Sequence, residues 1–316
     1  MNDPAGRKID YLRLSVTDRC NLRCLYCMPE TGVPMVAHSD LLSFEEIERL
    51  AWIFRRLGIS KLRITGGEPL LRRDLTSLVS RLAAMDFEEL VLTTNGLLLA
   101  PLAGGLASAG LHRVNVSLDS TRNEVLAAIA RGRITREEVE RAILAAKDAG
   151  LGPVRVNCVV LKGLNDREVP DFILWAYDMG VEPRFIECMP SGFTGAMTVT
   201  AAEILRAASV LGEPVRIGGV LGEVQETWRI EGTDLSFGLI APLSDGGFCS
   251  RCRRLRLSAT GQLFPCLDDV RFFDLRKALR DGAGDTDTED LVRSAIASKP
   301  LRHGGCSNAR MWRTGG

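Results

Sequence analysis

Between residues 9 and 190 the chain repeats one unit: a short β-branched run, then an amphipathic stretch with legible ends. The strand-like runs are Tyr11–Thr17, Leu62–Thr65, Leu90–Thr93, Arg113–Ser117, Val154–Leu161 and Arg184–Cys188. The stretches between them read as helices. Ser43-Phe-Glu-Glu46 is a capping box, in which Ser43 and Glu46 each satisfy an exposed backbone N–H of the other. Ile47, Leu50, Phe54 and Leu57 follow at helical spacing, and Gly58 stops the run. A second helix of this kind runs from Glu137 to Ala149 and ends at Gly150. Six β–α units in series argue for a parallel sheet that curls toward a barrel, with a flat doubly wound sheet as the competing geometry.

The strands carry a second signal. Leu12, Leu14 and Val16 fall on one face while Arg13, Ser15 and Thr17 fall on the other. Arg63 and Thr65 likewise oppose Leu62 and Ile64; Arg113, Asn115 and Ser117 oppose Val114 and Val116; Arg155 and Asn157 oppose Val154 and Val156. Parallel strands covered on both faces should be apolar throughout. These have one polar, arginine-bearing face each. Solvent exposure of that face is the plainer explanation, but crossover helices leave little room for it. The pattern predicts instead a polar lumen that holds a large anionic ligand, because unpaired buried arginines are costly.

Motifs collect where such a fold places its chemistry, at the C-terminal ends of the strands. Cys20-Asn-Leu-Arg-Cys24-Leu-Tyr-Cys27 follows the first strand, Gly66-Gly-Glu-Pro69 the second, Thr94-Asn-Gly96 the third and Leu118-Asp-Ser120 the fourth. Beyond residue 198 the rhythm changes. Val199–Leu211 reads as a helix, Val215–Ile217, Thr227–Ile230 and Leu235–Ile240 as short strands, and Arg254–Ser258 with Gln262–Pro265 as a hairpin turning at Ala259-Thr-Gly261. That hairpin returns Cys266 to the same end as Cys252, and Cys249 completes a second trio. Asp281 to Asp290, acidic and glycine-bearing, reads as an exposed loop. The expected division is a domain of residues 1–198 and a smaller α+β domain of residues 199–316.

The cysteines need an oxidation state before they can be read. Residues 1–13 carry no apolar stretch or small-residue cleavage site and so do not read as a signal peptide, and no apolar run reaches the roughly 18–20 residues of a membrane span. The expected compartment is the cytoplasm, where clustered thiols are metal ligands rather than disulfides. Lysine plus arginine total 40 and aspartate plus glutamate total 40, so no global field favours nucleic acid or an anionic membrane. Structural zinc closes at four ligands, and neither trio has a fourth nearby: the histidines are His38, His112 and His303. Three thiolates with one place left open suit a cubic [4Fe–4S] cluster that keeps one iron available.

With Tyr26 before its last cysteine, the first trio resembles the signature of radical S-adenosylmethionine enzymes. Gly66-Gly-Glu-Pro69 resembles the motif that meets the methionine amino group, with Glu68 able to accept from an ammonium. The likeness narrows further. RITGGEPLLRRDL (63–75), TTNG (93–96), NVSLDS (115–120), RFIECMP (184–190), the second trio and the terminal Gly315-Gly316 are similar to the GTP 3′,8-cyclase (MoaA) family of molybdenum-cofactor biosynthesis. That resemblance implies an incomplete (βα)6 TIM-type barrel and two [4Fe–4S] clusters. It implies a lyase whose 5′-deoxyadenosyl radical takes the ribose 3′ hydrogen of GTP, after which the sugar attacks guanine C8. The product is (8S)-3′,8-cyclo-7,8-dihydroguanosine 5′-triphosphate. S-adenosylmethionine would be chelated by the iron held on Cys20, Cys24 and Cys27, and lined by Tyr26, Gly67, Glu68, Ser117 and Met189. GTP would be met by Arg13, Arg63, Thr93, Arg155, Arg254, Leu255 and Arg256, with the cluster on Cys249, Cys252 and Cys266 holding the guanine. The family usually has lysine where this chain has Arg155. The resemblance also implies a homodimer, a flavodoxin- or ferredoxin-type electron donor, a cyclic pyranopterin monophosphate synthase that takes the product, and a tail whose Gly315 and Gly316 serve the active site.

Other readings remain beside these. Cys158 and Cys188 lie on apolar strands and read as buried structural thiols, and Cys306 as a thiol without a role. Arg55, Arg56, Arg72 and Arg73 read as solvated helix-face charges. A peptide-modifying radical enzyme with an auxiliary cluster would share the first trio but not need the arginine set. An electron carrier would close every iron with cysteine.

Overall fold

A computed structural model describes residues 1–190, 194–195, 197–219, 224–304 and 311. Six strands are joined by helices through its first part, one helix per connection except for two between β4 and β5: β1 (Tyr11–Ser15), α1 (Phe44–Arg56), β2 (Lys61–Thr65), α2 (Leu75–Ala83), β3 (Glu89–Thr94), α3 (Ala103–Ser108), β4 (Arg113–Ser117), α4 (Asn123–Ala130), α5 (Arg136–Asp148), β5 (Arg155–Val160), α6 (Val169–Met179) and β6 (Glu182–Glu187). The local signals act as expected. Glu46 N–H donates to Ser43 Oγ at 3.1 Å and Ser43 N–H to Glu46 Oε2 at 2.8 Å, so both halves of the capping box form. Ile47, Leu50 and Phe54 of α1 are buried against the sheet, and Gly58 takes φ +89° just past the helix end. Thr135 and Glu138 cap α5 in the same way.

The later residues form α7 (Ala201–Ala208), β7 (Pro214–Gly218), β8 (Gln225–Ile230), β9 (Ser236–Ile240), β10 (Arg254–Leu257), β11 (Gln262–Phe264), β12 (Phe273–Asp274), α8 (Leu275–Arg280) and α9 (Asp285–Ala297). One expectation fails here. The Asp281–Asp290 stretch is not an exposed loop: its second half is the first turn of α9, where Asp285 and Asp287 suit the positive end of the helix dipole. Val292, Ala295 and Ile296 then bury the inner face of α9.

The strands make one sheet in the order β12-β11-β10-β1-β2-β3-β4-β5-β6-β9-β8-β7. β10 through β6 are parallel to their neighbours, and so is β9 against β6; the outer pairs are antiparallel. The C-terminal segment therefore extends the sheet at both edges. Side chains from eight of these strands, β1 to β6 with β9 and β10, line a single cavity, which only a curled sheet allows. This is a partial (βα)6 barrel of the TIM type. Leu12, Leu14, Leu62, Ile64, Val114, Val116 and Val156 face outward into the apolar core. Arg13, Arg63, Arg113, Arg184 and Arg256 are no more than 9% exposed, so solvent does not explain the polar face.

Candidate functional site

The loop after β1 carries the first trio against the loop after β2. Gly67 N–H donates to Thr17 O at 2.9 Å and Glu68 N–H to Arg19 O at 2.7 Å. A Cβ on Gly67 would stand 2.3 Å from the Arg19 carbonyl oxygen, so glycine is required for these two backbones to touch. The paired glycines thus seat the cysteine loop before any ligand is considered. Glu68 extends the same frame: Oε1 accepts from Leu70 N at 3.0 Å and Thr94 Oγ1 at 2.8 Å, and Oε2 from Asn95 N at 2.8 Å. A carboxylate has about four acceptor positions, which leaves one on Oε2 for an ammonium. Burial pushes the Glu68 carboxyl up to about 7 against these three donors.

Tyr26 is also held. Its hydroxyl donates to Asp119 Oδ2 at 2.8 Å, and Asp119 Oδ1 accepts from Val159 N at 2.9 Å, which ties the first trio to β4 and β5. Burial, and then neighbouring negative charge, pushes Cys27 up to about 12; burial lifts Cys20 to about 11 and Cys24 well above its ordinary value. The protons must leave when a metal binds.

The second trio arrives as the hairpin reading expects. Arg256 pairs with Phe264 and Leu257 with Leu263, and Gly261 turns the chain at φ +80°. Burial would raise the Cys252 thiol, but the positive charges of Lys299 and Arg254 bring it down to about 6. No three Cys, His, Asp or Glu side chains among the described residues converge as ligands of one metal ion. Both trios line the cavity, and an all-thiol donor set of three is the chemistry that suits an iron–sulfur cube, in which each thiolate binds a different iron.

Between the trios lies the arginine floor. β10, β1 and β2 place Arg256, Arg13 and Arg63 side by side in register. Burial and then mutual repulsion hold Arg13 well below the usual arginine range, and lower Arg256 to about 10 and Arg184 to about 9. Arg63 Nε and Thr93 Oγ1 are buried with no hydrogen-bond partner among the described residues. Like charges facing one another destabilise a sheet unless something anionic joins them.

The cavity gathers Arg13, Cys20, Cys24, Tyr26, Cys27, Arg63, Gly67, Glu68, Thr93, Ser117, Met189, Cys249, Cys252, Arg254, Arg256 and Cys266. Two expected contacts are placed elsewhere. Leu255 pairs with Leu12, is fully buried in the apolar core and is absent from the lining, because strand alternation turns it away from Arg254 and Arg256. Any contact of Leu255 with a ligand must come from its main chain. Arg155 lines a smaller pocket beneath the cavity, where its Nε donates to Glu182 Oε2 at 2.9 Å. Gly315, Gly316 and Cys306 lie outside the described residues. Asn157, on the polar strand face, and Asn95, in the motif after β3, line the cavity as the sequence pattern expects; Arg184, Lys299 and His303 also line it, without a site role read from the sequence. Arg184 follows the same inward alternation as Arg13, which is the signal that could have found it. Cys158 and Cys188 are buried, as expected. Arg72 is more than a solvated charge: it donates to the carbonyls of Val16 and Leu42 at 2.8 Å each.

The model of the radical SAM superfamily matches residues 14–176, and that described as Molybdenum Cofactor Synthesis C matches residues 181–305. The GTP 3′,8-cyclase of Geobacter sulfurreducens is 44% identical over 309 residues, covering 96% of this chain and 93% of its own. The chain belongs to the GTP 3′,8-cyclase family of radical SAM proteins. A second relative with that name, from Moorella thermoacetica, is 44% identical over 310 residues and covers 96% of this chain and 95% of its own. Among solved structures, Streptococcus suis SuiB bound to S-adenosylmethionine superposes with a TM-score of 0.64 at 14% identity, over 92% of this chain and 68% of that one. anSMEcpe with bound AdoMet gives 0.51 at 20% identity, over 63% and 59%. At such identities the likeness concerns the fold alone. No helix among the described residues is long and apolar enough to cross a membrane.

Proposed function

We propose that the chain is a radical SAM GTP 3′,8-cyclase of molybdenum-cofactor biosynthesis, and that Cys249, Cys252 and Cys266 hold a second [4Fe–4S] cluster. The observation that carries this reading is the row of Arg256, Arg13 and Arg63, buried in register in a cavity walled by both cysteine trios. A row of guanidinium forks suits a triphosphate, which it can grip bidentately without loss of charge.

When bound on Cys20, Cys24 and Cys27, the first cluster supplies the electron that cleaves S-adenosylmethionine reductively and so allows hydrogen abstraction from substrate. The chain's own part is placement. Gly67, the remaining acceptor of Glu68, Tyr26, Ser117 and Met189 surround the S-adenosylmethionine side of the cavity. Arg13, Arg63, Thr93, Arg254 and Arg256 orient GTP so that ribose C3′ faces that side, with Arg155 reaching the phosphates only by leaving Glu182. The buried lumen excludes water, which would otherwise compete at each step. We read residues 1–198 as the S-adenosylmethionine unit and 199–316 as the substrate unit, with Gly315 and Gly316 approaching the site. A cytoplasmic homodimer, a flavodoxin- or ferredoxin-type donor and a synthase that takes the product complete the proposal.

Anaerobic reconstitution with iron and sulfide, then dithionite, S-adenosylmethionine and GTP, tests it. The expected result is 5′-deoxyadenosine together with a C3′–C8 cyclised guanine nucleotide. Formation of 5′-deoxyadenosine that ignores GTP, with no cyclised product, would remove this reading.

A further inference from the structure

The second trio is framed by two buried cations from opposite ends of the chain. Lys299 is 6% exposed and Arg7 is 7% exposed. Lys299 Nζ donates to Arg254 O at 2.8 Å and to Pro265 O at 2.6 Å. The first carbonyl lies just beyond Cys252, at the start of β10, and the second just before Cys266, past the end of β11, so one ammonium bridges the two chain segments that lead to those cysteines. Arg7 supplies the third tie: its guanidinium donates to Cys249 O at 2.9 Å and to Pro300 O, beside Lys299, at 2.9 Å. Asp3 neutralises Arg7 in an ion pair.

Lys299 makes no such contact pair among the described residues; its charge reaches Asp269, which is itself paired with Arg271. Asp268 accepts from Gly304 N at 2.7 Å, and Asp269 pairs with Arg271 at 2.9 Å. An ammonium carries three donors, and carbonyls take two of them. Lys299 also lines the cavity beside the three thiols. A buried ammonium with no carboxylate in direct contact gains from an anion placed at its third donor.

We propose that Lys299 is a positioning residue for the group held by Cys249, Cys252 and Cys266. It sets the spacing of the two segments next to Cys252 and Cys266 through their carbonyls and aims its remaining N–H and its charge at that group. This rests on the second-cluster reading above. A positive charge beside a cluster favours the reduced, more negative state, so removal of Lys299 makes reduction harder.

The test uses the full chain with Cys20, Cys24 and Cys27 all changed to alanine, so that only the second trio binds iron. Iron and sulfide are counted after anaerobic reconstitution, and the potential is read by electron paramagnetic resonance during a redox titration. With Lys299 intact, a bound cluster is expected; its absence would remove the second-cluster reading itself. Lys299→Met is expected to keep the iron and to need a potential at least tenfold more reducing in ratio terms, 59 mV for one electron. Lys299→Arg should restore the original potential within that margin. Unchanged potential in an iron-replete Lys299→Met chain would overturn the proposal while leaving the cluster reading intact. If Lys299→Met binds no iron, Lys299→Gln, which keeps donors and drops the charge, replaces it with the same expectation. Loss of iron from the Met, Gln and Arg variants alike would show a purely structural lysine and also overturn the proposal.

Discussion

The two cysteine trios face one cavity with the same number of thiols, yet the charged side chains around them have opposite sign. Around Cys20, Cys24 and Cys27 stand Asp119 and Glu68, and burial together with that negative charge keeps the thiols protonated, Cys27 up to about 12. Around Cys249, Cys252 and Cys266 stand Lys299, Arg254 and Arg7; burial still raises Cys249, with Arg7 opposing it, but Cys252 falls to about 6. Identical ligands can therefore serve different tasks. A negative surround opposes the gain of an electron and makes its donation easier; a positive one suits the capture of an anionic substrate.

The sharpest way to break this contrast is to remove one ligand from each trio. Cys24→Ala is expected to abolish 5′-deoxyadenosine formation with or without GTP. Cys266→Ala should retain slow, GTP-independent cleavage of S-adenosylmethionine while cyclised product falls by more than about a hundredfold, beyond what loss of an outer-shell contact costs. Both products are read by chromatography of the same reaction. Equal profiles for the two variants would erase the division of labour.

A smaller effect tests the floor between the trios. Arg256→Lys keeps the charge and loses the fork, and charge-assisted hydrogen bonds contribute about 1.5–3 kcal/mol each. The KM for GTP should rise about tenfold or more, with kcat changing much less and the KM for S-adenosylmethionine unaltered. A selective fall in kcat would mean that Arg256 acts on the reacting atoms rather than on the phosphates.

The smallest effect concerns the frame of the first trio. Glu68 has its folded value raised from 4.5 to about 7, chiefly by burial. A raised value means that the folded chain holds the proton more tightly than the unfolded one. The associated stability is complete below pH 4.5, declines as pH rises, and is gone above about 7. In the metal-free chain the melting temperature should fall between pH 5 and 7.5, and Glu68→Gln should flatten that slope while lowering stability at every pH, because an amide nitrogen cannot accept from Asn95. A slope that persists in Glu68→Gln would assign it to other groups.

Much of this site was legible because it is written locally. Alternation on the strands announced a polar lumen, and the spacing of Cys252, Gly261 and Cys266 announced a hairpin. What stayed hidden depends on distance or on a competing cue. Arg7 meets residues 242 and 293 positions away, and no local pattern encodes such a meeting. The acidity of Asp281–Asp290 masked a helix whose apolar face begins only after it, at Leu291 and Val292. Leu255 entered the site by resemblance, although alternation with Arg254 and Arg256 already turned its side chain away.

The pairing of β1 with both β2 and β10 has a consequence for how the chain is made. The first strand synthesised waits for residues 254–257 before its second edge is covered. Until then a nascent barrel exposes unpaired backbone at β1, and at β6 until β9 arrives, and open edges of this kind recruit other strands. The chain's two ends are thus partners in assembly: a ribosome paused before residue 254 would display an incomplete sheet, and a break near residue 198 would leave two halves that each lack a neighbouring strand.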